Sequence, residues 1–202
     1  MIKLVVFDFD GVFTNGKICF DNNGYAIKHY HAKDGNGIFR LHKSGLKIGV
    51  ISGWHENISQ RSILNHLKIT RISLGSNDKS TIIGKWCKEM NIGFDNVAYM
   101  GDDLNDIDVM KKVKLTACPN DAVDEIKKIS TYVCEKNGGD GAVREFCDFI
   151  LKIKTREQQK ISCLIPCARV HIENINTRKF CNTTLLDLKL KTIKNIGHWM
   201  KL

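Results

Sequence analysis

The sequence predicts an α/β protein: a doubly wound parallel sheet with a β-hairpin inserted early. Three observations predict it. Short apolar runs over 3–7, 47–51 and 96–100 lack the alternation of half-exposed strands and read as buried parallel strands. Stretches with helical period separate them, the longest over 78–90 with Ile82, Ile83, Trp86 and Met90 on one face. Strand and helix then alternate to about residue 153, the signature of crossover connections.

Each element has its own reason. The run Leu4-Val5-Val6-Phe7 predicts the first core strand. Residues 17–21 and 25–30 flank Asn22-Asn23-Gly24, whose residues tolerate left-handed backbone, so a hairpin is expected there. Asp34 is the expected N-cap of a helix ending near Ser44-Gly45. A strand over 47–51 leads to Ser52-Gly53, a helix to 55–67, a short strand to 71–74 and a long helix to 78–90. The strand at 96–100 runs into Gly101-Asp102-Asp103. Helices at 104–111, 122–128 and 141–153 then alternate with strands at 114–117 and 131–134. From Thr155 the periodicity decays, so residues 1–154 are expected to form one domain and 155–202 an appendage with little order.

Charge follows the same boundary. Residues 1–151 hold 20 Lys+Arg and 19 Asp+Glu, a balance of +1; residues 152–202 hold 11 and 3, so +8 of the chain's +9 sits in the tail. This argues against a nucleic-acid surface on the domain, and a solvated tail is the simpler reading. No apolar run approaches the length of a membrane span, and Met1 leads straight into a strand that ends in acids, so no membrane partner is expected. The eight cysteines fit free thiols in a cytoplasmic protein. Cys163, Cys167, His171 and Cys181 have no regular zinc-finger spacing, and no zinc site is expected.

Four features fall at the ends of predicted strands: Asp8 and Asp10, Ser52, Lys79, and Asp102 with Asp103. In this topology those ends converge on one crevice. Each is bland alone, as a turn or a helix start. Together they supply carboxylates for nucleophile and acid/base work, a hydroxyl and an ammonium for phosphoryl oxygens, and further carboxylates for a metal. Adjacent carboxylates repel unless a cation lies between them, and Mg²⁺, a hard ion that prefers oxygen, suits that place.

The motifs Asp8-Phe9-Asp10-Gly11, Ile51-Ser52-Gly53, Asp78-Lys79 and Gly101-Asp102-Asp103 resemble the haloacid dehalogenase-like (HAD) superfamily, whose fold is Rossmann-like. The pieces Lys33-Asp34-Gly35-Asn36-Gly37-Ile38 and Gly138-Gly139-Asp140-Gly141-Ala142-Val143-Arg144-Glu145 are similar to its capless branch. That branch holds 3-deoxy-D-manno-octulosonate 8-phosphate (Kdo 8-phosphate) phosphatase and the phosphatase-like domain of N-acylneuraminate cytidylyltransferases. The resemblance covers residues 1–151. It implies Asp8 as the nucleophile that forms an aspartyl-phosphate, and Asp10 as general acid and base. It implies Ser52 and Lys79 as phosphate ligands, and Mg²⁺ held by Asp8, Asp102 and the backbone carbonyl of Asp10. Asp103 is implied either as a further metal-shell residue or as the partner that orients Lys79. Two positions depart from the branch: Trp54 stands where a basic residue often follows the Ser-Gly pair, and Lys33 where an arginine often precedes Asp-Gly. Both bear on the choice of sugar.

The expected function is Mg²⁺-dependent hydrolysis of the phosphate monoester of an acidic sugar, either Kdo 8-phosphate or a sialic-acid-type 9-phosphate. The alternative is a HAD-like assembly module with a cytidylyltransferase as partner. The retained Asp8, Asp10, Lys79 and Asp102 favour the enzyme, since a scaffold has no need of clustered buried charge. The gaps between Asp10 and Ser52 and between Ser52 and Lys79 are too short for a cap domain. The hairpin's Ile18, Phe20, Tyr25 and Ile27 are more apolar surface than a hairpin can bury by itself. A homo-oligomer is therefore expected, and the resembling phosphatases are tetramers.

Overall fold

The structure, a computed structural model, describes the chain over residues 1–176 and its side chains over residues 1–159. Among the described residues, eight strands and six α-helices follow in the order β1 (Leu4–Phe7), β2 (Cys19–Phe20), β3 (Ala26–Ile27), α1 (Ala32–Lys43), β4 (Lys47–Ser52), α2 (Ile58–His66), β5 (Arg71–Leu74), α3 (Lys79–Glu89), β6 (Val97–Met100), α4 (Ile107–Met110), β7 (Leu115–Cys118), α5 (Asp124–Ile129), β8 (Tyr132–Val133) and α6 (Ala142–Asn176). Six strands make one sheet in the order β5-β4-β1-β6-β7-β8, every neighbouring pair parallel. The hairpin β2–β3 stands apart as a two-stranded antiparallel ribbon. The expected fold is the observed one.

β1 lies at the centre, paired with β4 on one side and β6 on the other, and all four of its residues are fully buried. Its alternating side chains feed two cores, because successive residues of a strand face opposite sides of the sheet. Val5 and Phe7 join Ile38 and Leu41 of α1, Ile63 and Leu64 of α2, and Val143 and Phe146 of α6. Leu4 and Val6 join Ile83 and Trp86 of α3, Val109 and Met110 of α4, and Ile126 of α5. The chain winds from β1 through β4 to β5, then returns to the far side of β1 for β6, β7 and β8. That reversal opens a crevice beyond the carboxyl ends of β1, β4 and β6, which is where open α/β sheets bind ligands.

Several element boundaries differ from expectation. The cap of α1 is His31, whose ring accepts from the Lys33 N–H, while Asp34 lies fully buried in the first turn. α2 begins at Ile58 behind an Asn57 cap rather than at 55. The hairpin strands are two residues each, shorter than the runs 17–21 and 25–30. α6 runs past Thr155 to Asn176, where the lost periodicity led to an expectation of little order. Residues Met1–Glu157 form one compact unit and Gln158 begins a second. Cys163, Cys167, His171 and Cys181 lie outside the described side chains. Cys19 is exposed, Cys87, Cys118, Cys134 and Cys147 are buried, and all five are free thiols. Among the described residues no helix is long and apolar enough to cross a membrane.

Candidate active site

The crevice is about 350 Å³ and is lined by Asp8, Asp10, Ser52, Gly53, Trp54, Asn77, Asp102, Asp103 and Asn105, among others. Five of the six expected site residues line it directly. The sixth, Lys79, opens α3 and turns its ammonium toward the floor, 3.1 Å from Asp8 Oδ2.

Asp8 follows β1 immediately, so the buried strand fixes its Cα, and its Oδ1 accepts from the Phe9 N–H at 2.7 Å. Asp10 lies one turn beyond. Its Oδ1 accepts from Lys28 Nζ at 2.5 Å and, more weakly, from Thr14 Oγ1 at 3.4 Å. Ser52 closes β4, and its buried Oγ accepts from the Trp54 N–H.

The loop between Asp10 and Thr14 is shaped by two glycines. Gly11 has φ +79°, and a Cβ there would sit 1.9 Å from Asp102 Oδ2. The position therefore admits close approach of the Asp102 carboxylate to the loop. A Cβ on Gly138 would sit 1.8 Å from the Gly11 carbonyl oxygen, so the turn at 138 packs directly against the same loop.

The electrostatics follow from crowding. Carboxylate oxygens of Asp8, Asp102 and Asp106 lie within 4.8 Å of one another, and Lys79 is the cation among them. Burial, reinforced by the charge of Asp106, pushes the Asp8 carboxyl up to about 7 even though Lys79 opposes the shift. Burial, with the charges of Asp8 and Asp106, pushes Asp102 up to about 8. Burial disfavours the Lys79 ammonium, but the carboxylates of Asp8 and Asp106 outweigh it and raise its pKa. Three acids around one ammonium leave a deficit of positive charge.

That deficit is the physical test for a metal, and the donors fit a hard cation. Asp102 Oδ1 is buried and has no hydrogen-bond partner, an acceptor without a donor. Asp106 is different, because both its oxygens are occupied. Oδ1 accepts from Lys79 Nζ at 2.5 Å and Tyr99 OH at 2.6 Å, and Oδ2 from the N–H groups of Asp102 at 3.0 Å and Asp103 at 3.3 Å. Asp8 Oδ1 accepts from the Phe9 N–H and its Oδ2 pairs with Lys79, so Asp102 Oδ1 is the buried oxygen of the three acids that has no donor.

Asp103 needs a correction. Its side chain caps the turn at Leu104–Asp106, accepting from the Leu104 N–H, and it is exposed. The carboxylate that Lys79 meets at 2.5 Å is that of Asp106, and Asp103 lines the crevice wall. Asp106 was within reach of the sequence, since it lies four residues past Asp102 in the acidic run Gly101-Asp102-Asp103-Leu104-Asn105-Asp106. Lys28 carried no signal, because it comes from the hairpin far along the chain.

Residues 50–146 match the family described as haloacid dehalogenase-like hydrolase. The chain is 35% identical over 150 residues to 3-deoxy-D-manno-octulosonate 8-phosphate phosphatase of Escherichia coli strain K12, covering 74% of this chain and 79% of that one. A crystal structure of the Moraxella catarrhalis phosphatase in complex with magnesium, phosphate and Kdo matches with a TM-score of 0.74 at 30% identity, covering 81% of this chain and 93% of that one. The cobalt-bound Haemophilus influenzae phosphatase matches with a TM-score of 0.71 at 34% identity, covering 75% and 88%. The chain belongs to the haloacid dehalogenase-like hydrolases, in the group of the Kdo 8-phosphate phosphatases.

Proposed function

We propose that the chain is a Mg²⁺-dependent phosphatase that hydrolyses the phosphate monoester of an acidic sugar, with Kdo 8-phosphate as the first choice. The observation that carries the reading is the convergence of Asp8, Asp10, Ser52, Lys79 and Asp102 on one crevice at the sheet's carboxyl edge. The matched relatives are named for that substrate.

An Asp8 carboxylate oxygen attacks phosphorus, and the bond to the sugar oxygen breaks. Asp10 delivers its proton to the departing alkoxide. A water molecule then attacks the phosphorus of the aspartyl-phosphate while Asp10 takes its proton. The bond to Asp8 breaks, and inorganic phosphate and the carboxylate are restored. Ser52 Oγ and Lys79 Nζ bind the phosphoryl oxygens throughout, and Asp106 keeps the Lys79 ammonium in place. Mg²⁺, held by Asp8, Asp102 and the Asp10 carbonyl, supplies charge neutralisation for the phosphoryl group. Trp54 brings an apolar wall to the crevice mouth where relatives often place a base, which bears on the sugar and leaves the phosphoryl chemistry untouched. A second copy of the chain is the proposed cover for the hairpin and the crevice.

The test is phosphate release by the purified chain from Kdo 8-phosphate, a sialic-acid-type 9-phosphate and glucose 6-phosphate. Turnover of an acidic sugar phosphate is expected, abolished by EDTA, restored by Mg²⁺ and absent in Asp8→Asn. A folded wild type inert toward all three esters would leave the assembly-module reading. Normal turnover in Asp8→Asn would sink the mechanism.

A further inference from the structure

The ammonium of Lys28 is an unusual feature of the crevice. It comes from the residue after β3, in the hairpin, and its side chain is 1% exposed. It lies 2.5 Å from Asp10 Oδ1, 5.2 Å from the centre of the Trp54 ring and 5.5 Å from that of Phe9. A buried lysine costs free energy unless it is paired, and here the pairing is with one carboxylate and two aromatic faces. Both side-chain contacts of Asp10, from Lys28 and from Thr14, fall on Oδ1. Oδ2 is left to the crevice, which Asp10 lines.

We propose that Lys28 is a positioning residue for Asp10. It clamps Oδ1 so that Oδ2 carries the proton to and from the reacting oxygens. The inference rests on the phosphatase reading, in which Asp10 is the acid. It also makes the hairpin part of the catalytic machinery, because the hairpin's placement sets where the clamp lies. Lys28 need not touch the phosphoryl group in this role.

The prediction separates substrates by leaving group. A sugar alkoxide needs a proton as it departs, whereas p-nitrophenolate is stable as an anion and does not. The value of kcat/KM reports steps only through the first irreversible one, here the departure of the alcohol. In Lys28→Met the ratio of kcat/KM for the sugar phosphate to kcat/KM for p-nitrophenyl phosphate is expected to fall about tenfold or more, within the range a general acid contributes. Lys28→Arg, which keeps the charge, is expected to recover much of the ratio. Lys28→Gln is made in parallel to cover a Lys28→Met that does not fold, and its ratio is expected to fall in the same direction. Adding Lys28→Met to Asp10→Asn is expected to leave the ratio where Asp10→Asn puts it. An equal loss on both esters would overturn the proposal, since that is the mark of a phosphate contact or of general damage. So would an unchanged ratio in a folded Lys28 variant. If Asp10→Asn itself leaves the ratio unchanged, Asp10 is not the acid and the underlying reading falls with the proposal. If Asp10→Asn lowers the ratio and the Lys28 variants do not, the clamp alone is wrong.

Discussion

Asp106 satisfies four donors with one buried carboxylate: the Lys79 ammonium, the Tyr99 hydroxyl and the N–H groups of Asp102 and Asp103. It therefore ties β6, the loop after it and the start of α3 to a single charge. Asp106→Asn keeps the shape but removes the charge opposite Lys79 and places an amide against donors. Breaking such a pair costs roughly 3 kcal/mol, which lowers Tm on the order of 10 °C in a chain of this size. Turnover is expected to fall at least tenfold, because Lys79 loses the partner that aims it. Thermal melts and steady-state rates check both, and an unchanged Tm would show that Lys79 finds its anchor elsewhere. At this scale the sequence was legible wherever a residue follows directly on a strand. Asp8, Ser52 and Asp102 lie at or just past strand ends, and Asp10 and Lys79 are fixed by the same loops. It was silent on Lys28, whose partner is 18 positions away.

The strands themselves were read closely, since β5 covers the expected 71–74 and β1 and β6 sit within their predicted runs. Continuous apolar runs have one place to go in this fold. Caps were less legible, because an acid at a helix start has two uses. Asp34 accepts from the Arg144 N–H at 2.8 Å and so stitches α1 to the start of α6. The two sequence pieces most particular to this branch, around 33–38 and 138–145, are thus bonded to each other. Glu145 in turn accepts from the N–H groups of Glu135 and Lys136 and holds the segment leading to Gly138, which packs under the Asp10 loop.

Asp34 also carries a pH signature. Burial pushes its carboxyl from 3.8 up to about 6, against the pull of the Arg144 N–H and of His31. Between those values the native chain holds a proton that the unfolded chain has released. The stability this contributes is complete below the unfolded value and lost as pH rises through about 6. Asp34→Asn cannot titrate. The Tm of wild type relative to Asp34→Asn is therefore expected to fall between pH 4 and pH 7. The change corresponds to about 2–3 kcal/mol. A difference that stays flat across that range would refute the assignment.

The whole molecule poses the question of what covers the crevice. The compact unit Met1–Glu157 has no cap domain, and its hairpin exposes Phe20 at 62% and Tyr25 at 60%, with Ile18 and Ile27 beside them. A ribbon of two-residue strands is not stable by itself in water, yet this one must hold Lys28 against Asp10. The domain's charge balance of +1 over residues 1–151 puts up little resistance to self-association. A second copy packed on the hairpin would bury its apolar face, steady the Lys28 clamp and limit water at the aspartyl-phosphate. The full chain is therefore expected to sediment as a homo-oligomer. Phe20→Asp with Tyr25→Asp changes two exposed side chains and leaves the catalytic residues themselves in place. That variant is expected to shift to monomer at micromolar concentration and to raise KM for the sugar phosphate several-fold. It should also lower the sugar-to-aryl ratio of kcat/KM, because the hairpin then holds Lys28 less firmly. Analytical ultracentrifugation and the paired kinetics decide it: a wild type that is monomeric at that concentration and fully active would show that the hairpin stands without a neighbour.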